Sequence, residues 1–304
     1  MGVRQQSGEQ VIFECYDSGV CFMRKLLKPF IINLFLCLMI IMMPSCFRSS
    51  DVHKMENLEL LEKRVANFDE DCLVVFDVDE TIITPVDSIF HMNLLRNKFW
   101  RSFYYIMMTG DVFFRNVVEH YENGLFTAKY ALVDPNIPDF IKALQSKGVK
   151  VIALTSCPTG EHKQIGKIED WRVWHLLSFG IDFRKSFPEQ ADLLFTDFSQ
   201  THAPLFKDGI LFANRYTKKG PLLVAFLEKV GWRPREIVFI DDSAGSVRSV
   251  EESMKKINIK CTGLQYLAAD RFSKDMDRVS IKLKVQSLIE KGRWVPGLGG
   301  SPSF

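Results

Sequence analysis

Acidic side chains follow apolar, strand-like runs at two distant places in this sequence. Asp77, Asp79 and Glu80 come after Cys-Leu-Val-Val-Phe, and Asp241 and Asp242 come after Ile-Val-Phe-Ile. Removing a carboxylate from water costs several kcal/mol, so a buried one needs protonation, a cation or a basic partner. We therefore expect a compensating positive charge close to these acids.

Two of these acids, Asp77 and Asp79, have a spacing that suits hydrolysis. They lie two residues apart on a segment that leaves a predicted strand, so one carboxylate can attack while the other sits beside the leaving group. Nucleophilic attack by a carboxylate divides hydrolysis into two easier steps. A second carboxylate that protonates the leaving oxygen and then activates water contributes on the order of 10²- to 10⁴-fold.

Three apolar runs are typical of strands that are covered on both faces: Leu73–Phe76, Val149–Leu154 and Ile237–Ile240. Helical patterns separate them, among them 138–147 and 221–230, so the chain predicts βα units and a parallel sheet. Sites in such sheets form at the carboxyl ends of the strands. The polar residues that follow the three runs should therefore meet at one edge.

The segment Asp77-Val78-Asp79-Glu80-Thr81 resembles the first motif, DxDx[TV], of the haloacid dehalogenase (HAD) superfamily, whose members are mostly Mg²⁺-dependent phosphohydrolases. The later motifs follow in the same order. Thr155 is similar to the second, Lys218 or Lys219 to the third, and Asp241-Asp242 to the acidic fourth. The sequence most resembles an uncharacterised HAD-like family of intracellular bacteria. It also has some similarity to exported bacterial acid phosphatases.

This resemblance implies an α/β fold, with a Rossmann-like parallel-sheet core and a small helical cap inserted after the first motif strand. It implies that Asp77 forms an aspartyl-phosphate and that Asp79 is the acid and base. The implied Mg²⁺ ligands are Asp77, the backbone carbonyl of Asp79, and Asp242 or Asp241. The groups implied to bind phosphoryl oxygens and offset their charge are Thr155 and either Lys219 or Lys218.

One departure from the family concerns the fourth motif. Ser243-Ala244-Gly245-Ser246 follows the acid pair and supplies no further Asp or Asn at the usual neighbouring place. Ser243 or Ser246 would have to substitute through water. Glu80, in contrast, is expected to point to solvent or to a neighbouring helix.

Composition and cysteine usage bound the remaining classes. The chain has 304 residues, 47% of them hydrophobic, which suffices for a sizeable core. Its 39 Lys and Arg against 37 Asp and Glu give no support for a nucleic-acid surface, and we expect no nucleic-acid partner. The motifs GxxxxGK[ST] and HExxH do not occur. Cys72, Cys157 and Cys261 are expected to be small buried residues.

The N-terminus has a signal-peptide profile. Arg24, Lys25 and Lys28 precede an apolar run from Phe30 to Met43. As a helix that run covers about 21 Å, less than the hydrocarbon core of a bilayer. The end of the run, Met43-Pro44-Ser45-Cys46, resembles a bacterial lipobox, so we expect export to the bacterial envelope with lipidation at Cys46. Cleavage near Ser45 and an uncleaved membrane anchor stay open, and translation is expected to begin at Met23.

The predicted organisation has five parts: a signal or lipoprotein-type leader over 1–46, a linker helix over 47–70, the HAD-like core over 71–86 and 134–270, an aromatic-rich helical cap over 87–133, and a C-terminal helix with a loose tail over 271–304. Within the core, Leu205–Phe212 predicts a hairpin that turns at Asp208-Gly209.

Two functions fit this sequence. The first is a Mg²⁺-dependent phosphatase for a small phosphorylated substrate. The second is a non-catalytic, exported envelope lipoprotein that uses the fold for binding. His162, His175 and His202, and the Ser156-Cys157 pair near His162, are interpreted as incidental.

Overall fold

The computed structural model describes residues 52–87, 90–91 and 123–273. The predicted leader, most of the predicted cap, and the tail beyond residue 273 lie outside these residues. Within them, no helix is long and apolar enough to cross a membrane.

Twelve strands and five α-helices lie wholly within the described residues, which also include a helical stretch over 123–127. The strands are β1 (His53–Met55), β2 (Cys72–Phe76), β3 (Ile83–Pro85), β4 (Tyr130–Leu132), β5 (Lys150–Thr155), β6 (Glu161–His162), β7 (Gly166–Lys167), β8 (Leu193–Leu194), β9 (Leu205–Lys207), β10 (Ile210–Phe212), β11 (Glu236–Asp241) and β12 (Lys260–Tyr266). The helices are α1 (Glu59–Val65), α2 (Ile137–Ser146), α3 (Ile168–Ser178), α4 (Lys219–Lys229) and α5 (Ala244–Lys256), with short 3₁₀ helices at Arg184–Ser186 and Ala268–Ser273.

Eight strands form the central sheet in the order β1-β12-β11-β2-β5-β10-β9-β8. All neighbours from β1 to β10 are parallel, whereas β9 and β8 add antiparallel pairs at one edge. The α/β class and the mostly parallel, Rossmann-like sheet are thus confirmed.

Strand β2 shows why the apolar runs are continuous. All five of its residues are buried, and they alternate between two hydrophobic clusters. Val74 and Phe76 pack in the cluster that contains Ile137 of α2, whereas Val75 packs in the cluster that contains Leu222 of α4. Helices on both faces therefore bury the strand completely, as expected for a central parallel strand.

The predicted linker helix over 47–70 is wrong in extent. The helix covers only Glu59–Val65, and His53–Met55 forms an edge strand beside β12 instead. Only Met55 of that strand is buried. Backbone hydrogen bonds hold such an edge strand, so its sequence needs no apolar run.

The predicted helical cap also needs a correction at its end. Residues 123–127 are helical, but Tyr130–Leu132 forms β4, which pairs antiparallel with β3. Val86 N donates to Lys129 O at 2.8 Å and extends this pairing. The chain therefore leaves the core and returns to it through one short two-stranded ribbon.

The hairpin predicted over Leu205–Phe212 is confirmed. β9 and β10 pair antiparallel around Asp208 and Gly209, whose φ angles are 52° and 79°. Positive φ at both central residues is the signature of the hairpin turns that favour Asp-Gly. A side chain at Gly209 would also collide with the backbone carbonyl of Phe183. The positive φ angle and this close approach therefore both require glycine.

Candidate active site

The carboxyl ends of three neighbouring strands meet at one edge of the sheet. β2 pairs with β11 on one side and with β5 on the other. Asp77 follows β2, Thr155 ends β5 and Asp241 ends β11. The backbone N–H of Asp77 donates to Ile240 O at 2.8 Å, which fixes the chain as it leaves β2. The expected meeting of these residues is what the structure shows.

Three carboxylates form an acid cluster at this edge: Asp77, Asp241 and Asp242. They offer oxygens that all lie within 4.8 Å of one another. Asp77 and Asp241 are buried and Asp242 is half-buried. Burial raises the pKa of Asp77 well above its ordinary value, and repulsion from Asp241 and Asp242 raises it further. Positive charge beside the cluster would therefore stabilise its ionised form.

Lys219 supplies part of that charge. Its Nζ lies 2.6 Å from Asp77 Oδ1 and 2.7 Å from Asp241 Oδ2, and its side chain is only 5% exposed. Burial lowers the pKa of Lys219, but attraction to Asp241 and Asp77 outweighs it and raises that pKa overall, so the ammonium stays charged. Lys218 is exposed and immediately precedes α4. The structure therefore places Lys219, and not Lys218, in the cluster.

The donor set of the cluster fits a hard divalent cation. Three carboxylates offer oxygens within 4.8 Å of one another, and carboxylate oxygens are the ligands that Mg²⁺ prefers. The neighbouring serine is already engaged: Ser243 N donates to Asp241 Oδ1 at 2.7 Å, and the Ser243 hydroxyl caps α5 by accepting from Ser246 N. Ser243 thus orients Asp241 through its backbone.

The side chain of Asp79 contacts different residues from those that the acid cluster contacts. Its carboxylate faces Arg172, whose Nη2 lies 2.9 Å from Oδ1 and 3.2 Å from Oδ2. Thr155 Oγ1 lies 3.5 Å from Oδ2, and the same hydroxyl accepts from Cys157 N at 3.1 Å. The side chain of Asp79 is 36% exposed. Asp77 and Asp79 are therefore held by different cations, as two different roles would require.

Arg172 was missed by the sequence reasoning. It lies on α3, far from every motif, and its side chain is only 5% exposed. Burial lowers the pKa of Arg172, but Asp79, Cys157 and Tyr130 together raise that pKa more, so the guanidinium is charged. One signal was present in the sequence: Arg172 stands midway between Ile168 and Leu176 on the buried face of α3, where an apolar residue is expected.

Glu80 does not point to solvent, contrary to expectation. Its side chain is buried, and Oε2 accepts from Thr84 Oγ1 at 3.0 Å and lies 3.4 Å from His91 Nδ1. Glu80 also has a φ angle of 61°. The chain folds back on itself here, with Ile82 N donating to Val78 O at 2.9 Å, so the strand alternation no longer tells where side chains point.

Two buried polar residues, also missed, hold the loops behind the strand ends. Asn214, with a φ angle of 58°, accepts from Thr159 N at 3.1 Å and donates to His202 O at 3.0 Å. Glu169 accepts from Gly160 N at 2.8 Å. These contacts join the loop after β5 to the loop that precedes β9 and to α3.

His162 and His175 border one aromatic cluster, which contains Phe126 and Trp171. His162 lies 4.6 Å from the ring of Phe126, and His202 is exposed. His175 packs against Trp171 and Tyr130, and burial, followed by repulsion from Arg172, lowers its pKa to about 4. The thiols of Cys72, Cys157 and Cys261 are free, the first two being buried.

A family described as "Protein of unknown function (DUF2608)" matches residues 54–290. This chain belongs to the DUF2608 family. The matched range contains both acid pairs, Thr155, Lys219 and Arg172, so the whole site lies within the DUF2608 region.

Similar proteins occur in Rickettsia. An uncharacterised protein of Rickettsia bellii is 26% identical over 246 residues, which cover 74% of this chain and 82% of that protein. An uncharacterised protein of Rickettsia prowazekii is 22% identical over 235 residues, or 77% and 84% of the two chains. One of Rickettsia felis is 29% identical over 144 residues, or 45% and 48%. Their names state no activity, so function must be argued from the site.

Proposed function

We propose that this chain is a Mg²⁺-dependent phosphatase of the haloacid dehalogenase type, which hydrolyses a small phosphomonoester through an aspartyl-phosphate on Asp77. The observation that carries this proposal is the division of charges at one sheet edge. Asp77 shares Lys219 with a second buried acid, while Asp79 is paired separately with Arg172. A nucleophile and an acid–base group need such different surroundings.

Asp77, Asp241 and Asp242 would hold the cation, as their mutual distances favour. Bound Mg²⁺ would offset the charge of the substrate phosphoryl group, which the carboxylates otherwise repel.

The chain's own groups then have definite tasks. Lys219 binds Oδ1 of Asp77, and the described residues offer no hydrogen bond to Oδ2, which is therefore available for attack on phosphorus. Asp79, whose side chain is 36% exposed, first takes up a proton from solvent and then gives that proton to the leaving oxygen as the P–O bond to the leaving group breaks. Asp79 then takes a proton from the water that attacks the aspartyl-phosphate, which releases phosphate and restores Asp77.

Hydrolysis of a panel of phosphomonoesters, with and without Mg²⁺, tests this function. The wild type should hydrolyse at least one ester with Mg²⁺, and Asp77→Asn should lower kcat/KM on the order of 10³-fold or more. Lys218→Met is the matched control on the exposed neighbour and should retain activity. If the wild type hydrolyses nothing with Mg²⁺, or Asp77→Asn is equally active, the non-catalytic alternative takes the place of this proposal.

We further propose export to the bacterial envelope with a lipid on Cys46, on the strength of the Phe30–Met43 run and the residues that follow it. Mass spectrometry of the mature N-terminus tests this. A lipidated Cys46 supports the anchor, and a mature chain that begins upstream of Met23 without lipid overturns it.

A further inference from the structure

We propose that Arg172 is a positioning residue, which holds the Asp79 carboxylate beside the leaving oxygen and away from the acid cluster. This inference rests on the proposed function and concerns the same site. Its basis is one contact: a single guanidinium nitrogen, Nη2, lies 2.9 Å and 3.2 Å from the two carboxylate oxygens of Asp79.

Stability does not explain an arginine at this place in α3. Its Nε and Nη1 are buried and have no hydrogen-bond partner among the described residues. A buried N–H without a partner is unfavourable, and replacing a buried ion pair by apolar residues is often neutral or stabilising. An apolar residue would also continue the buried face that Ile168 and Leu176 form. The position of the guanidinium is therefore better explained by its contact with Asp79 than by stability.

The surroundings of Arg172 fix its direction. Its guanidinium lies 4.8 Å from the ring of Trp171, and Nη2 also lies 3.9 Å from Cys157 Sγ. His175 occupies the next turn of α3 among aromatic rings. A long side chain so confined has little rotamer freedom left, so it can act as a rigid support.

The side chain of Asp79, in contrast, can adopt several rotamers, and proton transfer requires one of them. Its side chain is 36% exposed, and its remaining side-chain contact in the described structure is the 3.5 Å approach of Thr155. A carboxylate that turns away from the leaving oxygen cannot deliver its proton, and proton transfer requires hydrogen-bond distance. Without Arg172, the acid step should therefore suffer more than the attack by Asp77.

Leaving groups of different quality separate these two steps. p-Nitrophenolate leaves without much protonation, whereas the alkoxide of 2-glycerol phosphate needs a proton. In Arg172→Met, kcat/KM for 2-glycerol phosphate should fall about 10- to 100-fold more than kcat/KM for p-nitrophenyl phosphate. Arg172→Lys should recover part of this difference. Arg184→Met, which removes an exposed guanidinium paired with Asp182, is the control and should change neither rate.

A double-mutant cycle ties the effect to Asp79. Once Asp79→Asn has removed the proton donor, Arg172→Met should change the ratio of the two rates by less than about 2-fold. Thermal unfolding gives a readout independent of activity. Asp79→Asn leaves a buried guanidinium without its anion and should lower Tm, and adding Arg172→Met should restore much of that loss.

Each outcome decides a different claim. Equal losses on both substrates in a folded Arg172→Met protein would assign the residue a structural role only and overturn the positioning role. Additive Tm changes in the cycle would overturn the coupling. If the wild type hydrolyses no ester of the panel, whether aryl or alkyl, the proposed function fails and this inference falls with it, which is distinct from an active wild type with an unchanged ratio.

Discussion

Replacing Lys219 by methionine should destabilise the metal-free protein strongly. The ammonium lies 2.6 Å and 2.7 Å from two buried carboxylates, and a third completes the cluster. Removing one partner of a buried ion pair typically costs about 3–5 kcal/mol, because the remaining charge is buried without compensation. For a domain of this size each kcal/mol corresponds to about 2–4 °C, so Tm should fall by about 6–20 °C.

The loss should depend on pH and on Mg²⁺ in a defined direction. Burial and the neighbouring acids already raise the pKa of Asp77, and removing Lys219 raises it further. A protonated acid needs no counter-charge, so the destabilisation should be smaller at pH 5 and larger at pH 8. Because a bound cation would replace the missing charge, Mg²⁺ should also reduce the difference between variant and wild type.

Thermal unfolding followed by circular dichroism, in EDTA and in Mg²⁺, measures these effects. Lys218→Met is the matched control, since it makes the same change one residue earlier on an exposed side chain, and it should shift the free energy of unfolding by no more than about 0.5 kcal/mol. Equal Tm values for the two variants in EDTA would refute the view that Lys219 neutralises a buried acid cluster.

Three further predictions test neighbouring features. Mg²⁺ should raise the Tm of the wild type more than that of Asp241→Asn, because the variant replaces one of three clustered carboxylates by a neutral amide; equal shifts would exclude this cation site. Glu80→Ala should lower the free energy of unfolding by about 1 kcal/mol more than Glu80→Gly in urea titrations, since only glycine relieves the positive φ; the reverse order would contradict strain at this position. His175 has a folded-state pKa of about 4 and titrates near 6.5 when unfolded, so the wild type should lose on the order of 3 kcal/mol of stability as pH falls through that window. His175→Gln should flatten this dependence, and parallel curves for the two proteins would show that another group is responsible.

The sequence was sufficient for the centre of the fold and not for its margins. Central strands such as β2 and β11 are covered on both faces, so their apolar runs are conspicuous. β1 and β8 have three and two residues at the edges of the sheet, where backbone pairing leaves little trace in side-chain type. β4 also has only three residues, so its side chains leave little trace in the sequence, and the predicted helical cap includes it.

The candidate site divides along similar lines. The meeting of Asp77, Thr155 and Asp241 followed from the rule that parallel strands end at one edge. The choice between Lys218 and Lys219 depended on where α4 begins, which the position of Pro221 did not fix. Arg172 reaches Asp79 across 93 residues of chain, and no local pattern encodes such a distance.

The ribbon of β3 and β4 gives this architecture a modular character. It pairs Pro85 with Tyr130, so strand pairing holds the two ends of the intervening segment together. The entropy of closing a loop grows only slowly with its length, so insertions or exchanges beyond His91, whose ring contacts Glu80, should disturb the acid-bearing edge of the sheet very little. Relatives can therefore differ in this one segment while the strands that carry the carboxylates stay as they are.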